Sequence, residues 1–178
     1  MRRDQARAQA ESQLGRFAQP QENWTYRCGR LVAWRAASLV SPDSNADDLS
    51  GLPQPLAAFF AIDYSHADIC NGGFHQYYYN HTGDLAPYAI RGFRSLGEEE
   101  RAELMVRSMA RFPGGVAPTN REERIAILET IDYADDWRPW VDEIERAYYE
   151  VEGTRPMETV LAILVDAHPD VFFLPEGR

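Results

Sequence analysis

Asn71-Gly72-Gly73-Phe74-His75-Gln76-Tyr77-Tyr78-Tyr79-Asn80 separates a long helical pattern from a short one and sets how the two meet. Adjacent glycines lose more backbone entropy on folding than any other pair, so a turn or a close approach must require them. Upstream, Leu56, Phe59, Phe60, Tyr64 and Ala67 recur at three- and four-residue steps from Pro55, the spacing of one helix face. Asn71-Gly72 is the expected stop, because a left-handed C-terminal cap costs glycine little. Downstream, a short helix over 74–80 puts Gln76 and Asn80 one turn apart, and His75 and Tyr79 likewise. His81-Thr82-Gly83-Asp84 then reads as a second turn. Asp84 is the expected N-cap of a segment running to Leu96, and Gly97 its stop.

The same punctuation continues outward. Residues 4–17 are rich in Ala, Gln and Arg and are limited by Pro20, while 22–39 form a second helical candidate with Trp24, Leu31, Trp34 and Leu39 facing inward. Three prolines with Ser, Asn, Asp and Gly make 41–55 a loop. Glu98, Glu99 and Glu100 open a helix whose core positions are Met105, Met109 and Phe112, and Pro113-Gly114-Gly115 ends it. Asn120 and Glu123 have capping-box spacing ahead of Ile125, Leu128 and Ile131. The cleanest amphipathic pattern is 137–151, where Trp137, Trp140, Val141, Ile144, Tyr148 and Val151 share a face. A last helix, 156–167, buries Met157, Val160, Leu161 and Leu164; Pro169 closes it, and Val171-Phe172-Phe173-Leu174 fold back on the core. No run alternates as a strand would. The expectation is an all-α, single-domain bundle of about seven to nine helices. Residues 1–54 flank the core, and 55–173 form it.

Composition narrows the function. The chain has 178 residues, a 44% hydrophobic fraction and a net charge of -10, values of a globular acidic protein. The charge is unevenly placed: +4 over residues 1–35, -6 over 36–90, +2 over 91–121 and -10 over 122–178. The acidic last third repels phosphates, so nucleic acid is not the expected ligand and a basic protein surface is. All 18 basic residues are Arg, which excludes lysine chemistry such as a Schiff base. No apolar stretch has the length of a bilayer span, and none follows the basic start as in a secretory signal, so the expected location is the cytoplasm, without membrane contact. Cys28 and Cys70 then read as buried thiols. Three roles are open to the Arg-rich start: packing on the domain, pairing with the acidic third of a second copy to give a homodimer, or staying mobile.

Catalytic inventories come up short. Cys70 lies five residues before His75, but no electropositive neighbour in sequence would activate it. His66, His75, His81 and Asp84 lack the His-x-x-x-His spacing of a helical metal site, so no metal and no cofactor is expected. Two readings of the glycine-amide run remain. In one, Asn71, Gln76 and Asn80 hydrogen-bond buried backbone while Phe74, Tyr77 and Tyr78 fill the core. In the other, Asn71, His75, Gln76, Tyr79 and Asn80 line a small-ligand or enzymatic site.

The pattern Asn71, Gly72, Gly73, Phe74, Gln76, Tyr77, Asn80, Gly83 and Asp84 resembles the signature of the bacterial DNA-mimic-protein family, a domain family otherwise of unknown function. Ile131-Asp132 and His168-Pro169-Asp170-Val171-Phe172 are similar to its C-terminal pattern, and the similarity covers roughly 55–173. The resemblance implies an all-helical, non-enzymatic fold whose carboxylates imitate DNA phosphates and so occupy a DNA-binding protein. Acids three or four residues apart on a helix lie roughly 4.5–6 Å apart along its axis, the order of phosphate spacing along DNA. Glu129, Asp132, Asp135, Asp136, Asp142, Glu143, Glu145, Glu150 and Glu152 are the expected partner-binding face.

Overall fold

The computed structural model describes residues 23–40, 46–131 and 137–173, together with positions 2, 4, 5, 8, 9 and 12. Among the described residues from Trp24 onward eight α-helices follow one another: α1 (Trp24–Val40), α2 (Gln54–Tyr79), α3 (Ala86–Ser95), α4 (Glu99–Ser108), α5 (Arg121–Ile131), α6 (Trp137–Thr154), α7 (Met157–Ala167) and α8 (Pro169–Phe172). Short 3-10 turns at Ala46–Gly51, His81–Leu85 and Pro113–Gly115 join some of them. No strand occurs among the described residues, and the fold is an all-α single-domain bundle as expected. Asp4, Gln5, Ala8, Gln9 and Ser12 are helical, in line with the helix expected there.

α2 is the axis of the bundle, and packs against α1, α3, α5, α6, α7 and α8. Its sequence explains that position. Every residue from Leu56 to Asp63 is buried, so the helix has no solvent face over two turns and must be surrounded. The polar member of that run, Asp63, is satisfied by α1: it accepts from Tyr26 Oη at 2.6 Å, Arg30 Nε at 2.8 Å and Trp34 Nε1 at 2.7 Å. Without those donors a carboxylate could not be held there.

The remaining helices bury one stripe each. α6 turns Trp137, Val141, Ile144, Tyr148 and Val151 into the core, and α7 adds Met157, Val160, Leu161, Leu164 and Val165. Each large side chain so buried contributes on the order of 1.5–3 kcal/mol before entropy is subtracted. Phe172 and Phe173 fold back as expected, with Phe172 edge-on to Phe59 at 5.7 Å.

Most helix ends follow the punctuation, but α4 ends at Ser108, ahead of the Pro113-Gly114-Gly115 stop expected for it, and there are two further exceptions to the expectations. Gly97 (φ 72°) closes α3: its N–H reaches Arg94 O at 3.1 Å and that of Glu98 reaches Phe93 O at 2.9 Å, the double bond pattern that glycine makes accessible. Asn120 Oδ1 accepts the Glu123 N–H at 2.9 Å, the expected cap of α5. The first exception is Asp84. It does not cap α3, whose N-cap is Leu85 with no side-chain bond; Asp84 is buried in the preceding turn and faces Arg124. The second is Cys70, which is exposed where a buried thiol was expected. It lies beside the glycine break, on the flank of α2 that leaves the core, whereas Cys28 is buried.

Candidate functional site

The glycine pair breaks α2. Residues up to Asn71 are helical, Gly72 (φ -157°, ψ 24°) and Gly73 (φ 73°, ψ -174°) are not, and the helix resumes at Phe74. The turn uses positive φ at Gly73, in a region of backbone space open essentially to glycine alone. Gly73 also has a spatial duty, because a Cβ there would overlap the Glu145 carboxylate of α6. That carboxylate accepts the Phe74 N–H at 2.8 Å, so a side chain from another helix caps the resumed segment. Burial raises the Glu145 pKa above its ordinary value, and the Phe74 N–H pulls it partly back.

The amides of the run converge on Asp68, one helix turn upstream of the break. Its carboxylate accepts from Gln76 Nε2 at 3.2 Å, from Asn80 Nδ2 at 3.2 and 3.1 Å, and from the Thr82 hydroxyl. Phe74, Tyr77 and Tyr78 are fully buried. The Ser65 hydroxyl donates to Tyr77 at 3.0 Å, Tyr78 shares a bond with Ser108 at 2.7 Å, and Phe74 meets Tyr148 edge-on at 5.7 Å. Asn71 and Tyr79 are exposed and His75 is half-buried, stacked on Tyr79 at 6.1 Å. Of the five residues of the ligand reading, the structure therefore brings Gln76 and Asn80 together on Asp68, and places Asn71, His75 and Tyr79 outside them.

Gly83 and Asp84 belong to a different cluster, built around the fully buried guanidinium of Arg124 on α5. Arg124 donates from Nε to Tyr78 O at 2.6 Å, from Nη2 to Asn80 O at 2.8 Å, and from Nη1 to Pro118 O at 2.6 Å and Asp84 Oδ1 at 2.7 Å. The carbonyls of Tyr78 and Asn80 end the resumed helix, where a cation is favoured. A Cβ at Gly83 would lie 2.7 Å from Arg124 Nε, so only glycine leaves room for that fork. Arg121 closes the outer side, donating to Tyr79 O at 2.9 Å.

A second polar cluster adjoins the break. Arg101, also fully buried, pairs with Glu98 and with Glu152 (3.0 Å), and donates to the Arg155 carbonyl. Glu152 further accepts the Met157 N–H at 2.9 Å, capping α7. His66 uses both ring nitrogens: Nδ1 lies 3.1 Å from Tyr148 Oη, and Nε2 lies 3.7 Å from Glu152 Oε1. Cys70 Sγ is 3.6 Å from each of those nitrogens, so it sits against the ring and not in line with either N–H. Burial lowers the His66 pKa and raises that of Cys70, the opposite of a thiolate–imidazolium pair. Among the described residues no group of three or more His, Cys, Asp or Glu could hold a metal ion.

The expected acidic face divides. Glu129, Asp142, Glu143 and Glu150 are exposed, whereas Glu145 and Glu152 are half-buried and hold the helix ends just described. Asp132, Asp135 and Asp136 lie outside the described residues. Glu143 pairs with Arg107 of α4 at 3.1 Å, while Asp142 and Glu150 have no ion pair among the described residues. α4 packs beside α6 and adds Glu99, Glu100 and Glu103, all exposed, with Arg94 and Arg155 among them.

Sequence reasoning missed Asp68, Asp63, Arg101 and Arg124, the groups on which these clusters turn. Charged residues at core positions carry little local signal, although Gly83-Asp84 together mark a place for a large cation.

No curated protein and no solved structure gives a significant match to the chain. A family model described as DMP19-like protein matches residues 50–168. That span runs from the last 3-10 turn before α2 through the end of α7 and includes the broken helix, the Asp68 clasp and both buried arginines. The chain belongs to the DMP19-like protein family, a domain family of unknown function related to DNA-mimic proteins.

Proposed function

We propose that this protein is a non-enzymatic, acidic binding module of the cytoplasm that occupies a basic protein surface, that of a DNA-binding regulator, in place of DNA. The observation that carries the reading is the outward side of α6. Asp142 and Glu150 stand there without an ion pair among the described residues, beside the α4 glutamates that pair with Arg94 and Arg155. The chain's net charge of -10 adds a long-range field that steers basic partners. Relatedness to DNA-mimic proteins supports the same direction.

In this account the glycine-amide signature is structural. Gln76 and Asn80 satisfy Asp68, Glu145 caps the resumed helix, and Arg124 closes its far end, which together fix α2 against α5 and α6. The acidic helix is thereby held rigidly, which lowers the entropy lost on binding. The direct test is capture on the immobilised protein from an extract of its host at low ionic strength, with duplex DNA as competitor. Retained proteins should be basic DNA-binding proteins released by DNA. Retention that DNA does not disturb would contradict the reading.

A further inference from the structure

On the side of the bundle formed by α2, α3 and the Ala46–Gly51 turn lies an open groove of about 250 Å³, lined by Leu49, Leu52, Ala57, Tyr88, Arg91 and Gly92. Its floor is low because the residues under it are small. A Cβ on Gly92 would lie 2.9 Å from Ile62 Cδ1 and 3.1 Å from Ala58 Cβ, so glycine lets α3 sit close on α2. Half-buried Leu52 and Tyr88 supply its apolar surface, Ser50 and Gln54 add polar groups to the lining, and Leu49 is fully buried.

Arg91 stands at the rim with its guanidinium 4.6 Å from the centre of the Tyr88 ring. It has no carboxylate partner among the described residues. Arg94, one turn further along α3, binds both Glu99 at 3.3 Å and Glu103 at 3.0 Å. An arginine set against an aromatic ring beside an apolar hollow, with no described carboxylate on it, has the donor set of an anion receptor. The guanidinium lies against the ring, and its N–H groups supply the donors for a bidentate acceptor.

We propose that this groove binds a small organic carboxylate with an apolar body, a single ring or short chain, its carboxylate on Arg91 and its body over Ala57 and Gly92. The volume lies just below the roughly 300–1,000 Å³ of drug-sized sites and suits a single ring or short chain. An amine is disfavoured by the cation at the rim, and a neutral ligand forgoes the charge-assisted pair. The site is separate from the acidic face of α6 and does not depend on the partner-binding reading.

The test is a two-dimensional NMR titration of the full chain with hydrocinnamate, its neutral amide hydrocinnamamide, and the variant Arg91→Gln. Arg91 is exposed, so the variant keeps the fold. Hydrocinnamate should give saturable shifts at the amides of Ala57, Tyr88 and Gly92. Loss of charge on either side, by the amide probe or by Arg91→Gln, should weaken binding about 10-fold or more. No saturable shift at millimolar hydrocinnamate, shifts confined to another surface, or equal affinity for the amide probe or the variant would each overturn the proposal.

Discussion

The Glu145 carboxylate reaches across 71 positions of sequence to accept the Phe74 N–H at 2.8 Å, and it occupies the space that a side chain at Gly73 would need. The break in α2 is thus closed by α6, the helix that also presents the outward acids. Gly73→Ala meets two penalties, backbone strain of about 1–3 kcal/mol at positive φ and a displaced cap worth about 0.5–2 kcal/mol. Urea unfolding should show a loss of roughly 1.5–5 kcal/mol on combining them. Gly153→Ala, at a helical site with open space around it, should be neutral or slightly stabilising.

Glu145 also gives a pH signature. Its folded-state pKa is raised above the ordinary 4.5 by burial. An acid raised on folding binds more protons in the folded than in the unfolded chain, so its contribution to stability falls as pH rises from 4.5 through the folded value. Glu145→Gln keeps an acceptor for Phe74 and removes the titration. Relative to this variant, the wild type should gain stability on acidification toward 4.5, measured by denaturation midpoints across that window. The opposite slope would mean that the carboxylate is stabilised as an anion.

Arg124 and Asp84 form a buried pair at 2.7 Å, with Arg124 wholly inaccessible. Removing one partner leaves an uncompensated charge, so Asp84→Asn should cost about 3–5 kcal/mol. Arg124→Lys should not restore the loss seen in Arg124→Met, since an ammonium cannot reach the carbonyls of Tyr78, Asn80 and Pro118 as a planar fork does. In the double variant Asp84→Asn/Arg124→Met the two losses should be strongly non-additive by urea unfolding.

Cys70 offers a check on whether its thiol is activated. Burial and the nearby Glu152 charge raise its pKa above 9.0 even though the residue is exposed. At about pH 7.5 it should therefore react with iodoacetamide more slowly than free glutathione, because little thiolate is present. Cys28, buried, should react only on unfolding. Alkylation of Cys70 faster than glutathione, followed by mass spectrometry, would reveal an activated thiol.

Local pattern carried most of the architecture. The stripe Trp137, Val141, Ile144, Tyr148, Val151 is buried as its spacing requires, and Gly97 and Asn120 end and begin helices where expected. What was illegible is charge facing inward. Val141, Glu145, Tyr148 and Glu152 descend one flank of α6 at four-, three- and four-residue steps, so both glutamates border the apolar stripe. Their counterparts, the Phe74 N–H and Arg101, come from distant chain, and no local pattern announces them. Asp84 was misread for the same reason: a turn aspartate before a helix usually caps it, and here Arg124 claims it.

The central claim is that outward carboxylates of α6 bind a basic partner. It is tested most directly by measuring affinity for a captured, purified partner against salt, for the wild type and for Asp142→Asn/Glu143→Gln/Glu150→Gln. All three residues are exposed, so the fold should persist. Affinity should fall steeply with salt, and the triple variant should bind about 10-fold or more weakly with a shallower salt slope. Salt-insensitive binding, or a triple variant with wild-type affinity, would contradict the account.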